Sequence, residues 1–144
     1  MLNDLASDPV IRSHFQFFFF RYDSGQPIIY SGMQLRRALT EAVRAFGAGE
    51  MDPCLDEMVV IGHSQGGLLT KFTVVQTGDL LVKSLTDKNI DSMNISDKQK
   101  ALLRRALLVE PLPCVKRVVF ISTPHRGSFL SSLWVRKLIQ KIIS

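Results

Sequence analysis

A serine between glycines stands in the middle of the chain, directly after a short apolar run. Residues 62–67 read Gly-His-Ser-Gln-Gly-Gly, and residues 58–61 before them read Met-Val-Val-Ile. The apolar run predicts a buried strand, and the apolar residues at helical spacing after position 65 predict an amphipathic helix. A strand and a helix meet at so sharp a turn only where side chains leave room, which predicts a steric need for Gly62 and Gly66. We call residues 62–67 the Ser64 turn.

The predicted turn gives Ser64 the exposure that a nucleophile needs. Its backbone would be strained, and its hydroxyl oxygen would stand clear of the sheet edge. The first N–H groups of a helix have no acceptor within that helix, so the N–H of Gln65 could stabilise an oxyanion beside Ser64. The pattern predicts Ser64 as nucleophile and Gln65 as an oxyanion donor; an ordinary glycine-rich turn is the alternative. We expect valine to be tolerated better at Thr70, within the helix, than at Gly66.

Strand-like and helix-like segments alternate along the whole chain. Such alternation predicts an α/β fold, in which a parallel sheet is covered by helices on both faces. The predicted strands are residues 15–22 (FQFFFFRY), 58–61 (MVVI) and 115–122 (VKRVVFIS). We expect the second and third strands to be parallel neighbours, because a helical crossover joins them.

Two helices are predicted before residue 80. Ser31 can cap the first, and Gly47 and Gly49 follow its last apolar residue as stop signals. The second runs from about residue 65 to residue 77, with Gly78 as its stop.

The segment from residue 80 to residue 113 is long for a helix-to-strand connection. Its first half is polar and predicted to be irregular, and Ser96 and Gln99 then form a capping-box pair that opens a helix. The residues of this helix predicted to face inward are Leu102, Leu103, Ala106 and Leu107. They either pack the helix onto the sheet or line a cap-like insertion over a substrate site. A last helix is predicted from apolar residues one turn apart: Leu130, Trp134, Leu138 and Ile142.

Composition places the chain among globular proteins of one domain, residues 1–144. Its 46% hydrophobic and 22% charged residues exclude a mostly disordered chain. The net charge of +5 is spread along the sequence, which argues against a nucleic-acid partner. Cys54 and Cys114 fit neither a disulfide scaffold nor a zinc site, and no metal is expected.

No membrane-spanning segment or signal peptide is expected. The apolar run at residues 15–20 is far shorter than the roughly 20 residues that cross a bilayer. Residues 1–8 carry two aspartates and no basic residue, which is unlike a signal peptide. The protein is predicted to be cytoplasmic if Met1 is the natural N-terminus, and its compartment is undecided if the chain is truncated.

Two stretches together resemble the α/β-hydrolase superfamily, in its lipase- and esterase-like branch. VVIGHSQGG (residues 59–67) resembles the nucleophile elbow, and VVFISTPHRGS (residues 118–128) resembles the next strand and its active-site loop. The resemblance implies a partial α/β-hydrolase fold, Ser64 as nucleophile and Gln65 as an oxyanion donor. It also implies a small-molecule or lipid ester as substrate and no cofactor, and it gives His63 no catalytic role.

The chain departs from the superfamily pattern at both ends. The superfamily's acid and catalytic histidine follow further strands, and its oxyanion loop lies upstream of residue 15. We therefore expect an internal fragment of a longer hydrolase with an incomplete sheet, little turnover of its own and poor solubility, in which the place of residues 15–22 is doubtful.

His125 is the histidine best placed for a role beside Ser64. It follows the strand at 115–122, at the carboxyl edge of the sheet where sites form. It could act as a base, or it could line the pocket and shape the loop; both roles are open. The function predicted is therefore a serine hydrolase that forms an acyl-enzyme on Ser64. The alternative is a catalytically silent α/β module that serves binding.

Overall fold

Two parallel strands form the sheet of the protein, which we describe from a computed structural model for residues 2–47, 53–85 and 89–125. Strand β1 (Met58–His63) pairs with strand β2 (Val115–Ile121), with Val60 opposite Val118 and Gly62 opposite Phe120. The mixed α/β class and the parallel pairing of these two strands are confirmed.

Helices and short turns make up most of the remaining regular structure in the described part of the chain. Six are α-helical: α1 (Leu2–Ser7), α2 (Pro9–His14), α3 (Ile28–Phe46), α4 (Gln65–Lys71), α5 (Leu80–Leu85) and α6 (Asp97–Leu107). Two short 3-10 turns lie at Pro53–Asp56 and Ile90–Ser92. Chain order therefore places α4, α5 and α6 in the crossover between β1 and β2.

The aromatic segment at residues 15–22 is not a strand, and that prediction is wrong. It runs without regular secondary structure from the end of α2 into the turn before α3. Within the described residues β1 and β2 pair only with each other, so the segment has no strand partner to take up its backbone hydrogen bonds. Phe15, Phe18 and Phe19 are each more than half exposed. Strand propensity without a neighbouring strand was not enough to make this segment a strand.

Helix α3 begins earlier than predicted, so Ser31 is not its cap. Pro27 occupies the N-cap position, where its missing N–H leaves no donor unsatisfied. The Ser31 N–H donates to the Pro27 carbonyl over 3.1 Å, which places Ser31 inside the first turn. Its buried hydroxyl has no hydrogen-bond partner within the described ranges. Gly47 ends the helix as predicted, whereas Gly49 lies outside the described residues.

Helix α4 ends well before the predicted end at residue 77. The N–H and the hydroxyl of Thr73 both donate to the Thr70 carbonyl, over 3.0 and 2.7 Å, and this tighter turn closes the helix. The Thr77 hydroxyl then donates to the Leu107 carbonyl over 2.6 Å and accepts from the Val109 N–H over 2.8 Å. Hydrogen bonds to a distant segment thus replace the last helical turn.

The long connection contains more helix than predicted. Helix α5 falls in the stretch expected to be irregular. Helix α6 opens with the predicted capping box: the Ser96 N–H donates to Gln99 Oε1 over 2.9 Å, and the Gln99 N–H donates to Ser96 Oγ over 3.3 Å. Leu103 and Leu107 face inward as predicted, whereas Leu102 is 44% exposed.

The main apolar cluster joins α3 to this connection. Its buried members are Ile29 on α3 and Val82, Ile90, Met93, Leu103, Ala106 and Leu107 in the connection. Burial of this kind contributes roughly 1.5–3 kcal/mol for each large side chain. Leu103 and Leu107 therefore pack against α3 and the connection itself, and this cluster includes no residue of the sheet onto which one prediction placed them. The cap-like insertion stays a prediction.

One face of the sheet is packed against a helix, and the other is partly exposed to solvent. Because side chains alternate along a strand, Val60 and Gly62 share the face on which α4 packs. Val59, Ile61 and Val119 point to the opposite face and are 40–43% exposed. The helix predicted to follow β2 lies outside the described residues.

Neighbouring valines on β2 test this difference between the faces. Val119→Thr should leave the free energy of unfolding within about 0.5 kcal/mol and reduce aggregation, because the side chain is already partly in water. Val118→Thr should lower it by about 1 kcal/mol, since a hydroxyl would enter the half-buried side under α4. Urea denaturation and light scattering measure both effects. Equal losses of stability would mean that both faces are covered alike.

Candidate nucleophile site at Ser64

Ser64 sits at the sharp turn between β1 and α4 and has an unusual backbone. Its φ and ψ are 52° and −125°, a region that residues with a Cβ rarely adopt, and the residue is exposed. Holding a non-glycine residue there costs about 1–3 kcal/mol, which the surrounding structure must supply. The Ser64 N–H donates to the Ile121 carbonyl of β2 over 2.8 Å. The turn is therefore anchored to the neighbouring strand.

The Ser64 turn is closely packed where it faces α4 and the loop after β2. A Cβ added to Gly62 would lie 2.5 Å from both the Gly67 Cα and the Thr70 hydroxyl oxygen, which confirms the predicted need for glycine there. A Cβ added to Gly67 would overlap the Thr123 side chain, with Thr123 Cγ2 only 2.6 Å away. Glycine at these two positions lets α4 approach both strand ends.

The steric expectation for Gly66 is corrected by the structure. The nearest atom to an added Cβ there, in the part of the chain described, is the Tyr22 hydroxyl oxygen at an ordinary 3.7 Å. Thr70 is the more constrained of the two positions, because it is 2% exposed and its hydroxyl donates to the Gly66 carbonyl over 3.0 Å. The crowding expected at Gly66 is found one residue later, at Gly67.

The start of α4 presents a backbone donor beside Ser64. The Gly67 N–H donates to the Ser64 carbonyl over 3.1 Å, which closes the first turn. Across the described ranges the Gln65 N–H has no hydrogen-bond acceptor. A donor left open next to an exposed hydroxyl is the arrangement in which an oxyanion can be bound.

A second strained serine lies at the end of the adjacent strand. Ser122 follows β2, has a φ of 49° and is exposed. The loop after it turns back at once, because the His125 N–H donates to the Thr123 carbonyl over 2.9 Å. Two residues in unfavourable backbone conformations thus lie at the same carboxyl edge of the sheet, where strain often accompanies function.

His125 is near this edge, and its ring is held by an aromatic contact. The ring meets that of Phe120 edge to face, with centroids 4.7 Å apart. Phe120 is opposite Gly62 in the sheet and so belongs to the face on which α4 packs. No hydrogen bond joins His125 to Ser64 among the residues described. Of the two roles left open by the sequence, this contact supports shaping of the loop.

Three residues at the site were not singled out from the sequence. Gly67 and Thr123 are in close contact, and Tyr22 approaches the start of α4 from the aromatic segment. Burial raises the pKa of the Tyr22 hydroxyl above its ordinary value. The pair Gly66-Gly67 in the sequence was a signal for Gly67. Thr123 and Tyr22 are brought to the site by tertiary packing alone.

Comparison with protein-family models, with curated proteins and with solved structures found no match. None of the helices in residues 2–47, 53–85 and 89–125 has the length and hydropathy that crossing a membrane requires. The same residues contain no group of three or more His, Cys, Asp or Glu side chains arranged to hold a metal ion.

Alanine substitutions at adjacent glycines test the packing of the Ser64 turn. Gly67→Ala should lower the free energy of unfolding by about 1–3 kcal/mol, because the added methyl group meets Thr123. Gly66→Ala should leave it unchanged or raise it by up to about 1 kcal/mol, since the position is open and helical. Thermal and urea denaturation measure both.

A compensating change separates this clash from a general effect of alanine. Thr123→Ala removes the two atoms nearest to the new methyl group. The double variant with Gly67→Ala should recover part of the lost stability. Strictly additive losses would show that Thr123 is not the obstacle.

Proposed function

We propose that the protein is a serine hydrolase with a partial α/β-hydrolase fold, and that it acts on an ester or related acyl substrate. The observation that carries the proposal is the backbone of Ser64, an exposed non-glycine residue at φ 52° and ψ −125° between a strand and a helix. A turn that served only to connect β1 and α4 would be less strained with glycine at this position. A chemical role for the serine hydroxyl would explain why a strained residue with a side chain occupies this position.

The proposed reaction proceeds through an acyl-enzyme. The Ser64 hydroxyl oxygen attacks the substrate carbonyl carbon while a base takes the hydroxyl proton, and the resulting oxyanion accepts a hydrogen bond from the Gln65 N–H. As this intermediate collapses, the base returns the proton to the leaving oxygen, the ester bond breaks, the neutral alcohol is released and the acyl group stays on Ser64. Water then attacks the acyl-enzyme and frees the acid. The reaction needs no cofactor or metal, and the proposed partners are small-molecule or lipid esters rather than nucleic acid.

A second candidate function is binding without catalysis. It is favoured by one observation, namely that Ser64 has no hydrogen bond to a side-chain base within the described residues. A serine hydroxyl without a base is a weak nucleophile. In the hydrolase proposal His125 lines the pocket, and the base is not among the described residues that contact Ser64. Chemical reactivity of Ser64 distinguishes the two functions.

Ser64 should react with a fluorophosphonate probe, since such probes report activated serines. We expect peptide mass spectrometry to locate the probe on Ser64 and Ser64→Ala to abolish labelling. Ser122→Ala is the matched control, because Ser122 is also exposed, also has a positive φ and lies on the adjacent strand. It should leave labelling unchanged. Labelling of both serines at equal rates would indicate non-specific reactivity and favour the binding function.

His125→Ala should change the labelling rate of Ser64 by less than about threefold. The expected effect is small because the ring packs on Phe120, whereas loss of a general base lowers rates by roughly 10²–10⁴. Turnover of a nitrophenyl ester should be slow both in the unaltered chain and in the variant, because no side-chain base contacts Ser64 among the described residues. A loss of labelling of about a hundredfold or more, with loss of the acid limb of the pH profile, would identify His125 as the base.

A further inference from the structure

A groove of about 610 Å³ lies between α3 on one side and, on the other, the last turn of α6 with the segment that leads to β2. Four arginines and two glutamates line it: Arg36, Arg37, Arg44, Arg105, Glu41 and Glu110. Those on α3 share one face, because residues three or four apart are neighbours on a helix. The lining includes no residue of the Ser64 turn or of the loop after β2, so the groove is separate from the nucleophile site.

Arg36 is fixed in place within the groove. Its Nη1 donates to the Phe72 carbonyl over 2.6 Å, at the C-terminal end of α4. Burial lowers the pKa of its guanidinium, and the nearby Glu110 opposes that shift. The group stays charged, since arginine does not lose its proton in proteins. One cation of the groove is therefore already held in position before any ligand arrives.

The two carboxylates of the groove have partners of their own. Arg37 Nε lies 2.6 Å from Glu41 Oε1, and Gln76 Nε2 donates to Glu110 Oε1 over 3.2 Å. Arg44 and Arg105, by contrast, form no ion pair within residues 2–47, 53–85 and 89–125. These exposed guanidinium groups leave the groove with positive charge that the described residues do not neutralise.

Apolar side chains complete the lining of the groove. Met33 lies one helical turn before Arg36 and Arg37, and Leu108 and Leu112 belong to the segment after α6. Leu108 is 40% exposed, although a leucine gains by burial. The groove thus combines cations with uncovered apolar surface, which matches a ligand that has both an anionic group and a hydrocarbon part.

We propose that this groove binds a phosphate ester that carries an apolar group. Guanidinium groups suit phosphate because their planar N–H donors bind two oxygens at once. Arg44 and Arg105 would bind the phosphate, Arg36 would add a fixed charge, and the leucines would contact the apolar group. The same chemistry occurs in a soluble phosphoester and in a phospholipid headgroup.

Calorimetric titration of the full chain with dioctanoyl phosphatidate tests the proposal. Arg44→Gln combined with Arg105→Gln should weaken binding by about tenfold or more, because both bidentate contacts are lost. Arg12→Gln combined with Arg21→Gln is the matched control, since it removes the same charge from exposed residues that do not line the groove. It should change affinity by less than about twofold. Equal losses in the two variants, or no binding by the unaltered chain, would overturn the proposal.

Further experiments test the bidentate arginine contact and distinguish a phospholipid headgroup from a soluble phosphate ester. Arg44→Lys combined with Arg105→Lys keeps the charge and should retain only part of the affinity, because lysine cannot bind two oxygens at once. Affinity equal to that of the unaltered chain would overturn the bidentate contact. Binding to phosphatidate vesicles but not to neutral phosphatidylcholine vesicles supports a headgroup, and binding of octyl phosphate in solution supports a soluble ester. Ser64→Ala should bind like the unaltered chain, so this test is independent of the proposed hydrolase activity.

Discussion

One hydrogen bond, from the Ser64 N–H to the Ile121 carbonyl, continues the parallel ladder beyond the last residue of β1. It holds the backbone of Ser64 to the second strand at the point where the chain must reverse into α4. At Gly62 and Gly67 the start of α4 then packs closely against the ends of both strands. Because these restraints act on one turn, the strained conformation of Ser64 is stabilised by the packing of two strands and a helix rather than by its own sequence.

Local patterns were sufficient for the parts of the fold in which neighbours in sequence are also neighbours in space. The two apolar runs that became β1 and β2, and the capping box at Ser96 and Gln99, were predictable because their signals lie within a few residues. Residues 15–22 show the limit of this approach. Their aromatic composition predicts a strand, but a strand needs a partner, and composition does not reveal whether one is present.

The same limit applies to the site. The motif indicated Ser64, Gln65 and Gly62, because a G-x-S-x-G turn concerns contiguous residues. It did not separate Gly66 from Gly67, since that distinction depends on Thr123, which is distant in sequence and adjacent in space. The end of α4 was missed for a related reason. The Thr77 hydroxyl donates to the Leu107 carbonyl at the end of α6 and accepts from the Val109 N–H just after it, and only the folded structure shows these hydrogen bonds.

The backbone angles of Ser64 also bear on how the chain responds to selection for stability. Glycine at this position would adopt the same φ and ψ without steric conflict, at a gain of about 1 kcal/mol. A directed-evolution experiment that rewarded thermal resistance alone would therefore tend to replace the serine and discard its hydroxyl. Sequence libraries screened for expression or heat tolerance would enrich for variants that lack this hydroxyl. Position 64 has to be held constant in any such library if the hydroxyl is to be retained.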